Sequence, residues 1–110
     1  MYNYVMLMGT VVKVKPEFVV NEKYTSLTLS CTRPFRNSEG EYESDEFVIK
    51  CYDFLGEIVQ EHLKEGTKVT VKGRLHPSNR DGLCVIIADR VIFMREGEMH
   101  AIDAEGKEDR

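Results

Sequence analysis

Alternation with a period of two governs most of this chain, and helical spacing governs one short stretch. Strands send successive side chains to opposite faces, whereas helices return to the same face every three or four residues. The clearest strand signal is residues 24–33, YTSLTLSCTR, with Leu27, Leu29 and Cys31 on one side and Ser26, Thr28, Ser30 and Thr32 on the other. Residues 4–14, YVMLMGTVVKV, are rich in β-branched side chains but apolar on both sides, with Val5 and Leu7 on one and Tyr4, Met6 and Met8 on the other. A strand with one wet face has no need of that second apolar row, so Tyr4, Met6 and Met8 are expected to meet another subunit. Gly9 predicts a bulge or bend inside this run, Lys15-Pro16 its end, and residues 16–22 a connection.

Pro34 closes the second strand, and residues 35–44, FRNSEGEYES, read as a polar hairpin loop turning at Glu39-Gly40. A third strand over 45–52 puts Phe47, Ile49 and Cys51 on one side and Val48, Lys50 and Tyr52 on the other. The period then changes: Phe54, Leu55, Ile58, Val59 and Leu63 fall at helical spacing over 54–64, and Gly66 supplies the stop. Residues 68–75, KVTVKGRL, alternate again, with Val69, Val71 and Leu75 toward a core and Lys68, Lys72 and Arg74 in a row opposite. After the short loop 76–81, HPSNRD, a long apolar run covers 83–94. Three strands, a helix and two more strands is the order of the five-stranded OB-fold barrel, an all-β architecture with one helix between strands 3 and 4. Residues 1–95 are expected to form it as a single domain.

The row of three cations asks for an anion, and net charge at first argues against one: 15 Lys and Arg stand against 19 Asp and Glu, giving −4 at pH 7. The excess is local. Residues 96–110 carry Glu96, Glu98, Asp103, Glu105, Glu108 and Asp109 against Lys107 and Arg110, so the body is neutral. That acidic remainder, poor in large apolar side chains, is expected to be a disordered tail. Cys31, Cys51 and Cys84 lie far apart without CxxC spacing, which predicts buried reduced thiols rather than a disulfide or zinc site. No metal or other cofactor is expected. His62, His76 and His100 fall near no Cys or Ser at nucleophile spacing, and neither HExxH nor a phosphate-cradling glycine loop occurs, so no enzyme is expected. No apolar stretch approaches the ~20 residues of a membrane span, and the first residues lack the features of a signal peptide. A cytoplasmic protein that does not enter membranes is expected.

Four motifs in order narrow the fold further. Asn3, Val5, Leu7 and Gly9 open the chain at alternate positions. Arg33-Pro34-Phe35-Arg36-Asn37 leads into Glu39-Gly40-Glu41. Tyr52 precedes Leu55-Gly56-Glu57 and Leu63-Lys64-Glu65-Gly66, and residues 69–75 close the set. Together these resemble the bacterial and phage-type single-stranded DNA-binding protein family over roughly residues 3–95. The resemblance implies a homotetramer, or a dimer, of OB-folds that coats single-stranded DNA without catalysis during replication, recombination or repair.

Sequence-tolerant binding of this kind needs cations along the phosphates and aromatic faces under the bases. Tyr52 is the first candidate for stacking, sharing a strand face with Lys50. Phe35, between Arg33 and Arg36, is the second, and Lys68, Lys72 and Arg74 supply a cationic rail. Tyr24 is read as packing at the barrel rim and Tyr42 as riding an exposed loop. The chain also departs from the family. It has no Trp, Thr10 stands where an Arg usually follows the first-strand glycine, and the loop after the fourth strand is short. Glu39, Glu41, Glu43, Asp45 and Glu46 crowd the second hairpin, where they would repel phosphate, so binding is expected to be weaker and more salt-sensitive than is typical. The chain ends Lys107-Glu108-Asp109-Arg110 rather than on the family's acidic segment with an apolar tip, so docking of replication or repair proteins on the tail is not expected. The alternative is an OB-fold protein-interaction subunit, primosomal or structural, with weak or lost DNA binding.

Overall fold

The computed structural model describes residues 2–78, 81–104 and 108–109, the last two by their backbone alone. Five strands and one helix follow in the expected order: β1 (Val5–Val19), β2 (Glu22–Arg36), β3 (Tyr42–Tyr52), α1 (Asp53–His62), β4 (Lys68–Pro77) and β5 (Cys84–Arg95). β1 pairs with β2 and β4, β2 with β3, β4 with β5, and a short parallel contact of β3 with β5 at Ile49–Ile86 closes the ring. This is the OB barrel read from the residues.

Its interior is the apolar half of each alternating pattern. Leu27 and Leu29 of β2, Ile49 and Cys51 of β3, Val69 and Val71 of β4 and Val91 of β5 are all buried, and Leu55, Val59 and Leu63 plug one end from the helix side. Burying side chains of this kind is worth about 1.5–3 kcal/mol each. Close approach explains two glycines. A Cβ on Gly9 would lie 2.4 Å from the Ser30 carbonyl oxygen, and one on Gly73 2.1 Å from that of Ile87. The bulge predicted at Gly9 falls instead between Val11 and Lys13, and a second lies at Lys72/Gly73. Asn3 extends the β1–β4 ladder with its side chain, donating to the Leu75 carbonyl (2.7 Å) and accepting from the Leu75 N–H (2.9 Å).

The strands run longer than the punctuation suggests. Residues 16–22 are not a loose connection: β1 continues through Pro16 to Val19, and the chain reverses at Val20 and Asn21, the latter at φ 63°. Proline is tolerated there because β1 has already parted from β4, whose pairing ends at Thr10. Pro34 sits at the irregularity between Thr32 and Arg36, so β2 passes it without losing a ladder bond. Leu75, expected in the core, is exposed, because β4 there has passed its last pair with β1 at Val5–Gly73. Cys84 is likewise exposed, whereas Cys51 is buried, with its thiol pushed up to about 12 by desolvation.

The acidic remainder corrects the sequence reading most. Residues 98–103 are not disordered: β6 (Glu98–Asp103) pairs with β5 from Arg90–Asp103 to Arg95–Glu98, and a short β7 (Glu108–Asp109) follows. Ala101 and Ile102 are each only 6% exposed, and His100 stacks on Phe93 at 5.6 Å between centroids. Composition concealed this because the segment needs only two buried residues once β5 offers it a free edge. The part of the tail at 105–107 and 110 lies outside the described residues.

Candidate nucleic-acid interface

The outer face of β2 and β3 is a continuous strip. Register places Tyr24 beside Tyr52, Ser26 beside Lys50, Thr28 beside Val48, Ser30 beside Glu46 and Thr32 beside Ser44, and the ladder ends at Arg36 beside Tyr42. From Tyr24 to Arg36 it extends about 40 Å at ~3.3 Å per residue. Hydroxyls fill the middle, and rings stand at both ends.

At the barrel end the Tyr24 and Tyr52 rings lie 5.7 Å apart, tilted by 47°, a spacing typical of favourable aromatic pairs. Lys50 Nζ sits 4.5 Å from the Tyr24 ring centroid and 3.4 Å from Glu22 Oε1, and the Tyr52 hydroxyl donates to the same carboxylate oxygen. Burial, and then the bond to Glu22, hold the Tyr52 hydroxyl far above the usual phenol range, so it stays protonated and donating, although the nearby Arg74 charge pulls the other way. These groups line a groove of about 370 Å³. Val19 at the end of β1 and Val20 in the turn wall one side, and His76 and Pro77 at the end of β4 with Ser78 just beyond it wall the other. Arg74 faces Ile87, which in turn pairs with Lys50, and its guanidinium is bonded to Asp89.

At the far end, the Arg36 guanidinium lies 5.3 Å from the Tyr42 ring, and Phe35 is exposed beside it. Arg33 is a clamp rather than a free cation. Its Nε and Nη2 grip both oxygens of Asp45 at 2.9 and 2.8 Å, and its Nη1 meets Glu43 at 2.8 Å. That guanidinium holds the Asp45 carboxyl below the ordinary carboxylate range. Asn37 pins the turn by accepting from the N–H groups of Glu39 and Glu41 and donating to Glu43. Two of the five hairpin carboxylates thus already face a cation.

The proposed site residues are therefore only partly gathered. Tyr52 and Lys50 share the groove, with the Arg74 charge near Tyr52; Arg36 ends the same β2–β3 strip, and Phe35 precedes it in the strand and is exposed. Lys72 is on the same side of β4 as Arg74 but stands between Met6 and Arg90. Lys68 pairs with Thr10, about 20 Å from Arg74 along the strand. Tyr4, Met6 and Met8 project outward from β1 and are exposed, Met6 at 51% and Met8 at 72%. Two groove residues escaped sequence reasoning. Tyr24 reads from the sequence as a rim residue, though its register with Tyr52 follows once the β2–β3 hairpin is paired. Glu22 was hidden in the segment taken for a connection.

The profile of the "Single-strand binding protein family" matches residues 2–82, and the chain belongs to that family. A curated relative, "Single-stranded DNA-binding protein 3" of Listeria innocua, is 32% identical over 108 residues. That match covers 86% of this chain and 64% of the relative, so the chain spans less than two thirds of the relative's length. Solved structures agree in fold. The Plasmodium falciparum SSB in complex with ssDNA superposes with TM-score 0.65 at 23% identity, covering 86% of this chain and 96% of that one. The small single-stranded DNA-binding protein of Streptomyces coelicolor gives 0.63 at 18%, covering 86% and 95%. The dimeric N-terminal domain of PriB from Thermoanaerobacter tencongensis gives 0.54 at 21%, covering 86% and 98%. Among the described residues no helix is long and apolar enough to cross a membrane.

Proposed function

We propose that this protein binds single-stranded DNA without catalysing a reaction, through the outer face of β2 and β3 and the groove between the β1–β2 turn and the β4–β5 loop. The observation that carries this reading is the Tyr24–Tyr52 ring pair with Lys50 and Arg74 beside it, on the strand face and between the loops with which OB-folds hold oligonucleotides. Kinship with the Listeria single-stranded DNA-binding protein supports it. Bases stack on the rings, and Lys50 and Arg74 take the phosphates after exchanging Glu22 and Asp89 for them. Phe35 and Arg36 extend the track along the hairpin. Lys72 and Lys68 add longer-range attraction, and Arg33 keeps the hairpin in shape. The exposed Tyr4, Met6 and Met8 row joins copies into a homo-oligomer, a tetramer or a dimer, acting in the cytoplasm in replication, recombination or repair.

Ion pairing inside the groove favours one second reading, a protein-interaction subunit whose cations are permanently satisfied by Glu22 and Asp89. Salt dependence separates the two. With about four phosphates neutralised, the logarithm of the association constant for oligo-dT falls with the logarithm of salt at a slope of about −3, a loss of about 50-fold between 50 and 200 mM. Fluorescence anisotropy with light scattering in parallel checks this. An oligomer of constant mass that ignores oligo-dT at low salt identifies the interaction subunit.

A further inference from the structure

One level of the barrel carries an unbroken row of residues from the groove to the first strand. Ser26 of β2 pairs with Lys50 of β3, Lys50 with Ile87 of β5, and Ile87 with Arg74 of β4. The row does not stop at Arg74. β1 pairs Met6 with Lys72 and Val5 with Gly73, and the Asn3 side chain holds both the N–H and the carbonyl of Leu75, so Tyr4 is bracketed opposite Arg74. Cβ atoms directly opposite on antiparallel strands stand about 4.5–5.5 Å apart, and residues on the diagonal about 7–8 Å. Tyr4 therefore has Arg74 beside it and Lys72 on the diagonal. From Lys50 to Tyr4 is three strand spacings, about 14 Å.

Resting on the single-strand reading above, we propose that Tyr4 is a base-stacking residue, and that the bound strand crosses from Lys50 over Ile87 and Arg74 onto Tyr4. This crossing leaves the groove on the side away from the β2–β3 strip and lengthens the track of each copy. Tyr4 is 60% exposed, and among the described residues it has neither a hydrogen bond nor a ring partner. An open ring beside cations is what sequence-tolerant stacking uses, and the pinned backbone at Asn3 lowers the cost of ordering it. Arg74 stands between two rings: its charge reaches the Tyr52 hydroxyl on one side, and Tyr4 lies opposite it on the other. Ile87 lines the groove between Lys50 and Arg74, and the carboxylate that meets Arg74 is Asp89, which a phosphate displaces in the reading above. Met6 and Met8 continue the same face of β1 away from the groove. Tyr4 is thus where the strand track meets the row that joins copies, and a strand leaving over it is led toward the neighbouring protomer.

Anisotropy titrations of oligo-dT at two salt concentrations, with light scattering in parallel, test this on the full chain and on Tyr4→Ala, Tyr4→Phe and Arg74→Ala. Tyr4→Ala is expected to weaken binding about 5- to 10-fold, the lower part of what one stacked base contributes, at unchanged oligomer mass. Its salt slope should stay that of the unmodified protein, because no charge is lost, whereas Arg74→Ala should flatten the slope by about one. Tyr4→Phe keeps the ring and should bind like the unmodified protein. Irradiation of iodouracil-substituted oligo-dT on the unmodified protein should crosslink Tyr4 as well as the groove rings. If Tyr4→Ala binds as tightly as the unmodified protein, or loses affinity only together with oligomer mass, Tyr4 serves the subunit contact alone and the inference falls. Crosslinks at Tyr24 or Tyr52 with none at Tyr4 overturn the crossing and leave the groove standing. Failure of the unmodified protein to bind oligo-dT removes the single-strand reading itself and this inference with it.

Discussion

Tyr52→Ala weakens binding to oligo-dT by about 10- to 100-fold at constant salt, the loss expected when one stacked base gives up ~1–3 kcal/mol. The substitution removes one of the two groove rings and leaves Tyr24 without its partner at 5.7 Å. It also removes the hydroxyl that holds the Glu22 carboxylate beside Lys50, so the effect should fall toward the upper end of that range. Tyr42→Ala, at the far end of the strip, provides the comparison, because its ring lies beside the Arg36 guanidinium and away from the groove. Anisotropy titrations of both variants, with thermal melts showing that each remains folded, measure the difference. Equal small losses would mean that the groove is not where bases stack.

Ile102→Ala destabilises the fold by about 3 kcal/mol, within the usual cost of truncating a buried isoleucine. The melting temperature falls by about 10–20 °C for a domain of this size. Ile102 belongs to the barrel core although it lies in the acidic remainder, facing Val91 across the β5–β6 pair. The same substitution in a disordered tail would leave the melt unchanged, so differential scanning calorimetry decides between a structural sixth strand and an acidic appendage.

The barrel was legible because its alternating runs are long and its helix sits where the period changes. β2 shows this best: Leu27 and Leu29 inward and Ser26, Thr28 and Ser30 outward allow only one register on a one-sided core. What failed has a common physical cause, the weakness of local signals against tertiary pairing. Prolines at 16 and 34 read as strand ends, yet one lies on a free edge and the other at a ladder irregularity. The sequence 98–103 looks unfoldable alone and becomes a strand because β5 is longer than its contact with β3 requires.

The site was legible by residue type more than by grouping. Tyr52, Lys50 and Arg74 converge because the β3–β5 contact brings β3 beside the stretch of β5 that pairs with Arg74, a closure no local pattern encodes. Lys68 and Lys72 share the strand face of Arg74 yet lie progressively farther along it, where the row turns toward the exposed methionines of β1. Arg33 looked like a phosphate ligand in the linear motif, but its fork is directed at Asp45 and Glu43, twelve and ten residues away in sequence across the hairpin.

The most direct test of the proposed strand-binding groove is a backbone amide chemical-shift map on adding oligo-dT at low salt. The geometry predicts the largest changes at Glu22, Tyr24, Lys50, Tyr52 and Arg74, with smaller ones running along β2 and β3 toward Arg36. Changes confined to β1, β6 and the exposed methionines, with the Tyr24–Tyr52 groove silent, would contradict it.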